Sequence, residues 1–369
     1  MKEMHERDTS LRAMHEQMSN AGDVSSLNTP EMRRYLRLWE PLRREFRKHL
    51  NEPSRAPELN VSATFPELSA LRMWARVEAA DTRLAIWERR YARVVDNYRT
   101  VLLLSEQIRS GGGAIHHLTA LGCVGTVRRD TGQAIIHLSA KECGILVQLI
   151  REWERTRVPV EQALQAERAS YINLLHDLYE GKKEYVLDNY ETGSHAQKRV
   201  LPVRWLNLRA AAHEAENLYE RFARESRKPV IQQERLPEPG HILNAILAPD
   251  IFWGPLLRAD ATGTARNRLL AISAAVRAYR LSHGRHPKTL AEAGVADLNK
   301  DPFTGGEFVY KTSEKGFLVY SVGEDGRDDG GKRAANDRSP GDIGLIPYVP
   351  RPSPPPQQPL PPAPPVWLK

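Results

Sequence analysis

The chain has 369 residues with 53 basic and 46 acidic side chains, a formal net charge of +7 at pH 7. Hydrophobic residues at 41% and charged residues at 27% give an ordinary globular balance, in a chain long enough for two domains with sizeable cores. No apolar run reaches the roughly 18 residues of a membrane helix, two cysteines make no disulfide framework, and so mild a charge excess permits contact with nucleic acid or an anionic surface without demanding it.

Residues 1–30 are polar and weakly patterned and read as frayed helix or disorder. Their opening, MKEMHERDTSLRAMHEQMSN, lacks the apolar middle of a signal peptide, so the chain as written is expected to carry no export signal. An all-helical domain is expected over 31–228. It starts with EMRRYLRLWEPLRREFRKHL, where Leu36, Leu38, Trp39, Leu42, Phe46 and Leu50 fall mostly at helical spacing. Arg33, Arg34, Arg37, Arg43, Arg44, Arg47 and Lys48 fit either a basic helix lying on nucleic acid or an anionic membrane, or a solvated face with Glu31, Glu40 and Glu45 as local partners.

From Pro66 the helical period is long, through Leu68, Leu71, Trp74, Leu84, Trp87, Tyr91, Val94, Tyr98 and Leu102. SGGGAIHH interrupts it, AIIHLSAKECGILVQLIREW reads as one further helix, and Pro159 suits the start of the next. GKKEYVLDNYETGSHAQKRV is polar and reads as a long loop or irregular insert, after which Leu208, Ala211, Ala215, Leu218 and Phe222 mark another helix. A stack of helical hairpins is the simplest arrangement.

Residues 229–260 hold several prolines and read as a connector. A second, smaller unit is expected over 261–346. In it Ala265 to Leu281 forms a helix, ended by Gly284 and Pro287, and EFVYKT and GFLVYSV form an antiparallel hairpin across SEKG. The tail 347–369, VPRPSPPPQQPLPPAPPVWLK in its last part, reads as extended and disordered, either a spacer or a polyproline ligand. The expected fold class is therefore α+β, a helical hairpin domain followed by a helix with a small antiparallel sheet.

Familiar catalytic spacings are missing. HEAEN, from His213, lacks the second histidine of a zinc peptidase helix, and SGGGAIHH lacks the lysine and hydroxyl of a phosphate loop. Cys123 and Cys143 have no CxxC partner and read as small buried hydrophobes. The unusual stretch is YSVGEDGRDDGG, Tyr320 to Gly331. Asp325, Asp328 and Asp329, with Asp337 and Asp342 downstream, supply hard oxygens of the kind calcium takes, and Gly323, Gly326, Gly330 and Gly331 let the backbone turn its carbonyls inward. An EF-hand frame fails, because a start at Asp325 puts Arg327 third and Asn336 where the closing glutamate belongs. Spacing alone fits a cation site of another type and an exposed acidic turn equally.

RLLAISAAVRAYRLSHGRHPKTLAEAG, DPFTGGEFVYKT, GFLVYSVGEDGRDDGG and Asp342-Ile343, in that order, resemble the C-terminal module of the major type II secretion pseudopilins over residues 262–345. The whole chain also resembles bacterial proteins of planctomycete-like genomes that carry this module after a helical domain. The resemblance implies a structural calcium ion held by Asp325, Asp328, Asp329 and Asp342, with Ser321 and the Leu318 carbonyl as further candidates. It also implies that the helix from Ala265 is the solvent-facing part of a pilin stem. The chain departs from the family in lacking its basic leader, cleavage site and long apolar helix, and a glycine replaces the second proline of the DP segment. Polymerisation through a pilin spine is therefore not expected.

The functional expectation is a non-enzymatic structural or protein-binding component, associated with the envelope or periplasm if an anchor or export signal stands ahead of this sequence and cytoplasmic as written. Two rival readings exist. One is a hydrolase using His213, Glu214, His283 and His286 in a cleft between the two units; the other is a weak binder of nucleic acid or anionic surfaces through 33–48.

Overall fold

The computed structural model describes residues 29–56, 65–180, 186–187, 199–200, 207–234, 240, 253–313, 316–332 and 341–344. The N-terminal segment, most of the polar insert, part of the connector and the proline-rich tail lie outside the described residues. The fold is α+β and mainly helical. Its helices are α1 (Thr29–His49), α2 (Pro66–Trp87), α3 (Tyr91–Arg109), α4 (Ala114–Ala134), α5 (Ala140–Thr156), α6 (Val160–Tyr179), α7 (Leu208–Glu225) and α8 (Trp253–His283). Within the polar insert, β1 (Val186–Leu187) pairs antiparallel with β2 (Arg199–Val200).

Local chemistry sets several boundaries. Pro66 opens α2 at a position where its missing N–H costs nothing. The run expected as one helix through 134–153 is split: a 3-10 turn at Ile135–His137 ends α4, and α5 restarts at a capping box. There Ser139 Oγ accepts from Glu142 N at 3.3 Å while Glu142 Oε2 accepts from Ser139 N at 2.8 Å.

The C-terminal sheet has order β3–β4–β5, from β3 (Val309–Ser313), β4 (Gly316–Ser321) and β5 (Ile343–Gly344). β3 and β4 form the expected hairpin, in register from Val309 opposite Tyr320 to Ser313 opposite Gly316. β5 adds a third antiparallel strand by returning the chain after the acidic loop, so that Ser321 faces Ile343.

α8 departs most from expectation. It begins at Trp253, inside the predicted connector, and the predicted boundary at 261 falls in its interior. Asp260, Thr262, Gly263 and Thr264 dilute the apolar stripe there, but Asp260 and Thr264 take part in the packing described below, and Thr262 Oγ1 donates to the Arg258 carbonyl at 2.8 Å. Gly263 lets α4 approach closely, since a Cβ at that position would stand 2.6 Å from Leu121 Cδ2. Nor is α8 a solvent-facing stem: Leu269 through Val276 are buried without interruption. One side meets α4 and α5, and β4 and β5 of the sheet also pack on it. A single apolar core runs from Val101, Cys123 and Leu146 through Leu269, Ile272 and Val276 to Phe303 and Val319. A second cluster joins α6 and α7 to Trp253, Leu256 and Leu257 at the start of α8, and a third joins α1 to α2. Two forked ion pairs fasten α5 to the C-terminal part, Arg268 to Glu154 at 2.9 and 2.8 Å and Arg151 to Asp297 at 2.8 and 2.8 Å.

The basic segment 33–48 is not a uniformly solvated face. Arg43 is 1% exposed and points into the α1–α2–α3 junction. Its Nε and Nη2 donate to the two oxygens of Glu78 at 3.1 and 2.7 Å, and Nη2 also reaches Asp81 at 2.7 Å. Arg47 donates to Glu78 and Asn97, Arg93 donates to Asp81, and Asn97 Nδ2 donates to Asp81 at 2.9 Å. These partners lie on other helices; the expected local pairs exist beside them, Arg43 Nη1 donating to Glu40 at 3.2 Å and Lys48 Nζ to Glu45 at 2.7 Å. Burial alone would raise the Asp81 carboxyl, but the guanidinium of Arg43, with that of Arg93, holds it down at about 2.

Removing one member of this knot leaves buried charge without compensation. Arg43→Met is expected to lower the unfolding free energy by about 3–5 kcal/mol in urea titrations followed by circular dichroism. Asp81 adds a pH signature. Its folded value lies below the ordinary 3.8, so its contribution is present above that value and lost as pH falls through about 2. The stability advantage of wild type over Asp81→Asn should therefore be full at pH 5 and shrink steadily below pH 3.8.

Candidate functional site

The acidic loop leaves the end of β4 and returns as β5, so its two ends are held side by side by the Tyr320–Gly344 and Ser321–Ile343 pairs. Ser321 is fully buried, and its Oγ accepts from Gly323 N at 3.0 Å. Gly323 takes φ +73°, and a Cβ there would meet the Gly341 carbonyl oxygen at 2.5 Å. Only glycine lets the outgoing and returning strands lie this close.

Asp342, just before β5, is 3% exposed. Its Oδ2 accepts from Gly331 N at 2.6 Å, while Oδ1 is buried with no hydrogen-bond partner among the described residues. Burial, with the neighbouring charges of Asp328 and Asp329, pushes its carboxyl above the usual range against the pull of the Gly331 and Asp329 amides. Asp328 is exposed. It accepts from Tyr320 Oη and from Gly330 N at 2.9 Å, and Lys311 Nζ lies 3.5 Å away. The Tyr320 hydroxyl is the main cause of its lowered pKa. Asp325 sits in the turn and accepts from Arg327 N at 3.1 Å, in exposed surroundings. Leu318 lies opposite Lys311 on β4, its side chain 41% exposed and its methyls alongside Gly331.

The loop thus brings Asp342 to Asp328, Asp329 and the glycine amides, while Asp325 is engaged with its own turn. Asp337 lies outside the described residues. Among the described residues no three His, Cys, Asp or Glu side chains gather in a metal-holding arrangement. Asp301, from the DPFTGG stretch, is a further residue of this region that spacing did not single out. It is 1% exposed and accepts from Phe303 N at 2.9 Å. Burial raises its carboxyl, against the Phe303 amide, the Ser321 hydroxyl and the Val322 amide. The buried floor beneath the loop therefore contains two carboxyl groups, Asp301 and Asp342, in addition to the exposed ones.

The four residues of the hydrolase reading have different neighbours. His213 Nδ1 and Asn217 lie 3.2 Å apart on α7, and Glu214 accepts from Gly240 N. At the far end of α8, His283 stacks on Tyr279 with centroids 4.0 Å apart, and His286 leans on Phe317. Cys123 and Cys143 are both free and buried, and burial pushes their thiols up to about 11 and about 12.

A denser polar cluster surrounds the start of α4, where the glycine-rich SGGGAIHH falls. His117 is 1% exposed, and its Nε2 stands 2.8 Å from Asp260 Oδ1. Arg157 Nη1 lies 3.3 Å from Asp260 Oδ2 and donates to Thr264 Oγ1 at 2.7 Å. Arg109 and Arg157 both lie over the Trp153 ring, at 5.8 and 5.2 Å. Glu106 accepts from Trp153 Nε1 at 2.7 Å and from Val158 N at 2.6 Å. Burial holds His117 below the ordinary histidine value even though Asp260 pulls the other way, with Arg109 and Arg157 adding repulsion. We assign His117 as neutral, its Nε2–H donating to an ionised Asp260. No spacing announced this cluster, because its members come from α3, α4, the α5 terminus and the unpredicted first half of α8.

No family model, curated protein or solved structure matches this chain.

The neutral state of His117 has a measurable consequence. An unfolded chain takes up its proton near pH 6.5, whereas folded His117 resists it. Stability from this group is therefore full above pH 6.5 and declines as pH falls below it. Melting temperature from pH 8 to pH 5 should fall more steeply for wild type than for His117→Gln. The variant keeps the background from His116 and His286, which burial also lowers. Equal slopes would show that folded His117 takes up its proton as readily as the unfolded chain does.

Proposed function

We propose that this chain is a non-enzymatic structural or protein-binding component whose C-terminal sheet carries a structural calcium ion, in line with its resemblance to the pseudopilin module. The observation that carries the reading is Asp342, a carboxylate 3% exposed with one oxygen unpartnered among the described residues, at the mouth of a glycine-rich loop bearing further aspartates. An ionised carboxylate in that position is costly without a compensating positive charge. A calcium ion accepts six to eight oxygens in a flexible shell, which suits carboxylates mixed with loop carbonyls better than the strict octahedron of magnesium.

Asp342 would anchor the ion, with Asp328 and Asp329 as the nearest further carboxylates. Asp325, the Ser321 hydroxyl and the Leu318 carbonyl complete the set implied by the resemblance. Lys311 and Tyr320 compete for Asp328, so an ion engaging that residue would release the lysine. The ion's role is structural: it relieves repulsion among the aspartates and ties the loop after β4 to β5. The separate neighbours of His213, Glu214, His283 and His286 support the non-enzymatic reading. An envelope or secretion setting rests on the resemblance.

The test is the melting temperature of the full chain in millimolar calcium, in magnesium and in chelator. Calcium should raise it, by the equivalent of about 2.7 kcal/mol when free calcium is a hundredfold above the dissociation constant. Magnesium should do much less. Asp342→Asn should remove the calcium response while leaving the chelator melt nearly unchanged. Identical wild-type melts in calcium and chelator would sink the site.

A further inference from the structure

Two turns adjoin at one end of the helical bundle. Contacts between α2 and α4 advance together, from Arg72 and Thr119 at 3.5 Å to Arg83 and Asp130 at 2.7 Å, so these two helices run parallel. The α2–α3 turn therefore lies level with the turn between α4 and α5. Tyr91, at the start of α3, stacks on His137 of that second turn with ring centroids 5.5 Å apart, and Ala85, Val94 and Ala134 share a small apolar cluster nearby. Each turn points a large apolar side chain outward. Trp87, which the helical period counts with the inward stripe, is 64% exposed, and Ile136 is 46% exposed. The other described tryptophans, Trp39, Trp74, Trp153 and Trp253, are buried. A single exposed hydrophobe is ordinary; two at adjoining turns, one of them a tryptophan, mark a contact surface.

Arginines gather around Trp87. Arg89 takes φ +57°, the left-handed conformation that closes α2, and no other non-glycine residue among the described ones adopts it. The two bonds of that closing motif are both present, Arg89 N donating to Ile86 O at 3.1 Å and Arg90 N to Ala85 O at 2.8 Å. Glycine fills this position without strain, so an arginine here is a side chain kept at a conformational cost. It is exposed. Beside it Glu88 is shared by two arginines, Arg33 Nε from α1 at 2.8 Å and Arg90 Nε at 2.7 Å. Arg34, the next residue of α1, is exposed. No carboxylate pairs with Arg34 or Arg89 among the described residues. Four arginines thus stand around one glutamate. At the neighbouring turn Lys141 is exposed, and Glu142 is engaged in the capping box of α5.

We propose that this end of the bundle docks on an anionic membrane surface. Trp87 and Ile136 enter the headgroup layer, and Arg34, Arg89 and Arg90 meet lipid phosphates. The contact is interfacial, not a span. Tryptophan favours the membrane–water boundary because its ring is amphipathic, and each arginine adds attraction to an anionic leaflet. Single-stranded nucleic acid also takes aromatic and arginine side chains, but it follows a basic groove and stacks its bases on rings, to which the aliphatic Ile136 adds nothing. Two side chains protruding from adjoining turns suit a surface better than a strand.

Co-sedimentation of the full chain with lipid vesicles tests this, in chelator so that the acidic loop carries no calcium. Vesicles of phosphatidylcholine with phosphatidylglycerol should bind the chain, vesicles of phosphatidylcholine alone should bind it much less, and added salt should release it. Arg89→Gly removes backbone strain. Its melting temperature should equal or exceed that of wild type while its affinity for the anionic vesicles falls roughly fivefold, from about 1 kcal/mol for each cation near such a surface. Trp87→Ser should weaken binding roughly tenfold and keep the wild-type melt, because the ring is exposed. Brominated acyl chains should quench the tryptophan emission of wild type more than that of Trp87→Phe. Equal binding to both vesicle types, binding to neither, or anionic-vesicle binding that Arg89→Gly and Trp87→Ser leave unchanged would each overturn the proposal. So would Trp87-dependent binding of oligothymidylate without vesicle binding, which assigns this end to single-stranded nucleic acid. A dimer that Trp87→Ser dissolves, again without vesicle binding, would overturn it in favour of a second copy of this chain.

Discussion

The continuous burial of Leu269 to Val276 is the constraint from which the rest of the arrangement follows. A helix with seven apolar residues and one serine, Ser273, over two turns has no strongly polar face to give to water, so it must be enclosed. α4 and α5 close one side, and the β3–β4–β5 sheet with the segment around Leu290, Val295 and Phe303 closes the other. The sheet is too small to be stable alone, and α8 provides the surface that makes it viable. Enclosure also explains why the polar residues in the first half of α8 are so fully engaged. Asn267 Oδ1 accepts from Tyr98 Oη at 2.9 Å and from Arg128 Nη1 at 3.0 Å, and Asp260 meets His117 and Arg157.

Buried charge recurs at the places where three helices meet. Arg43 is neutralised by Glu78 and Asp81, and Asp260 by its cationic neighbours. Arg128 is the outlier, with amide and carbonyl acceptors but no direct carboxylate among the described residues, and burial pulls its guanidinium down to about 10. Such groups add little net stability compared with well-packed apolar residues. What they do here is fix register. Arg43 can satisfy its fork only if α1 crosses α2 at the turn bearing Glu78, and an axial slip of one turn would leave several charges unpaired in the interior.

Much of this was legible in the sequence, and the failures have physical causes. The helix at α7 announced itself through its apolar stripe, as did the β3–β4 hairpin and the turn at Gly284; α2 and α3 read as one long helical run from Pro66, and no glycine or proline marks the break between Trp87 and Tyr91. The first half of α8 did not, because Asp260, Thr264 and Asn267 are buried polar residues whose partners lie more than 100 positions away. The break before α5 was readable in Ser139 and Glu142 but was masked by the apolar residues on both sides. The inward turn of Arg43 was unreadable, since charge pattern along one helix carries no information about carboxylates on another. Within the acidic loop, composition identified the aspartates. It did not distinguish Asp342, enclosed by the returning strand, from Asp325, held by its own turn. Asp301 escaped notice because its importance lies in the backbone it organises.

The shared core also bears on inheritance. Sequence that resembles a separable cassette is here one wall of a common interior, so the line dividing helical part from sheet part runs through residues that each side needs covered. A chain broken ahead of α8 would leave α4 and α5 with a bare apolar flank, and the released piece would expose the helix meant to be enclosed. Recombination that delivers either half to a new host delivers an unfinished surface with it. Such a protein is free to change at its loops and termini, but its two parts are bound to travel together and to drift in step.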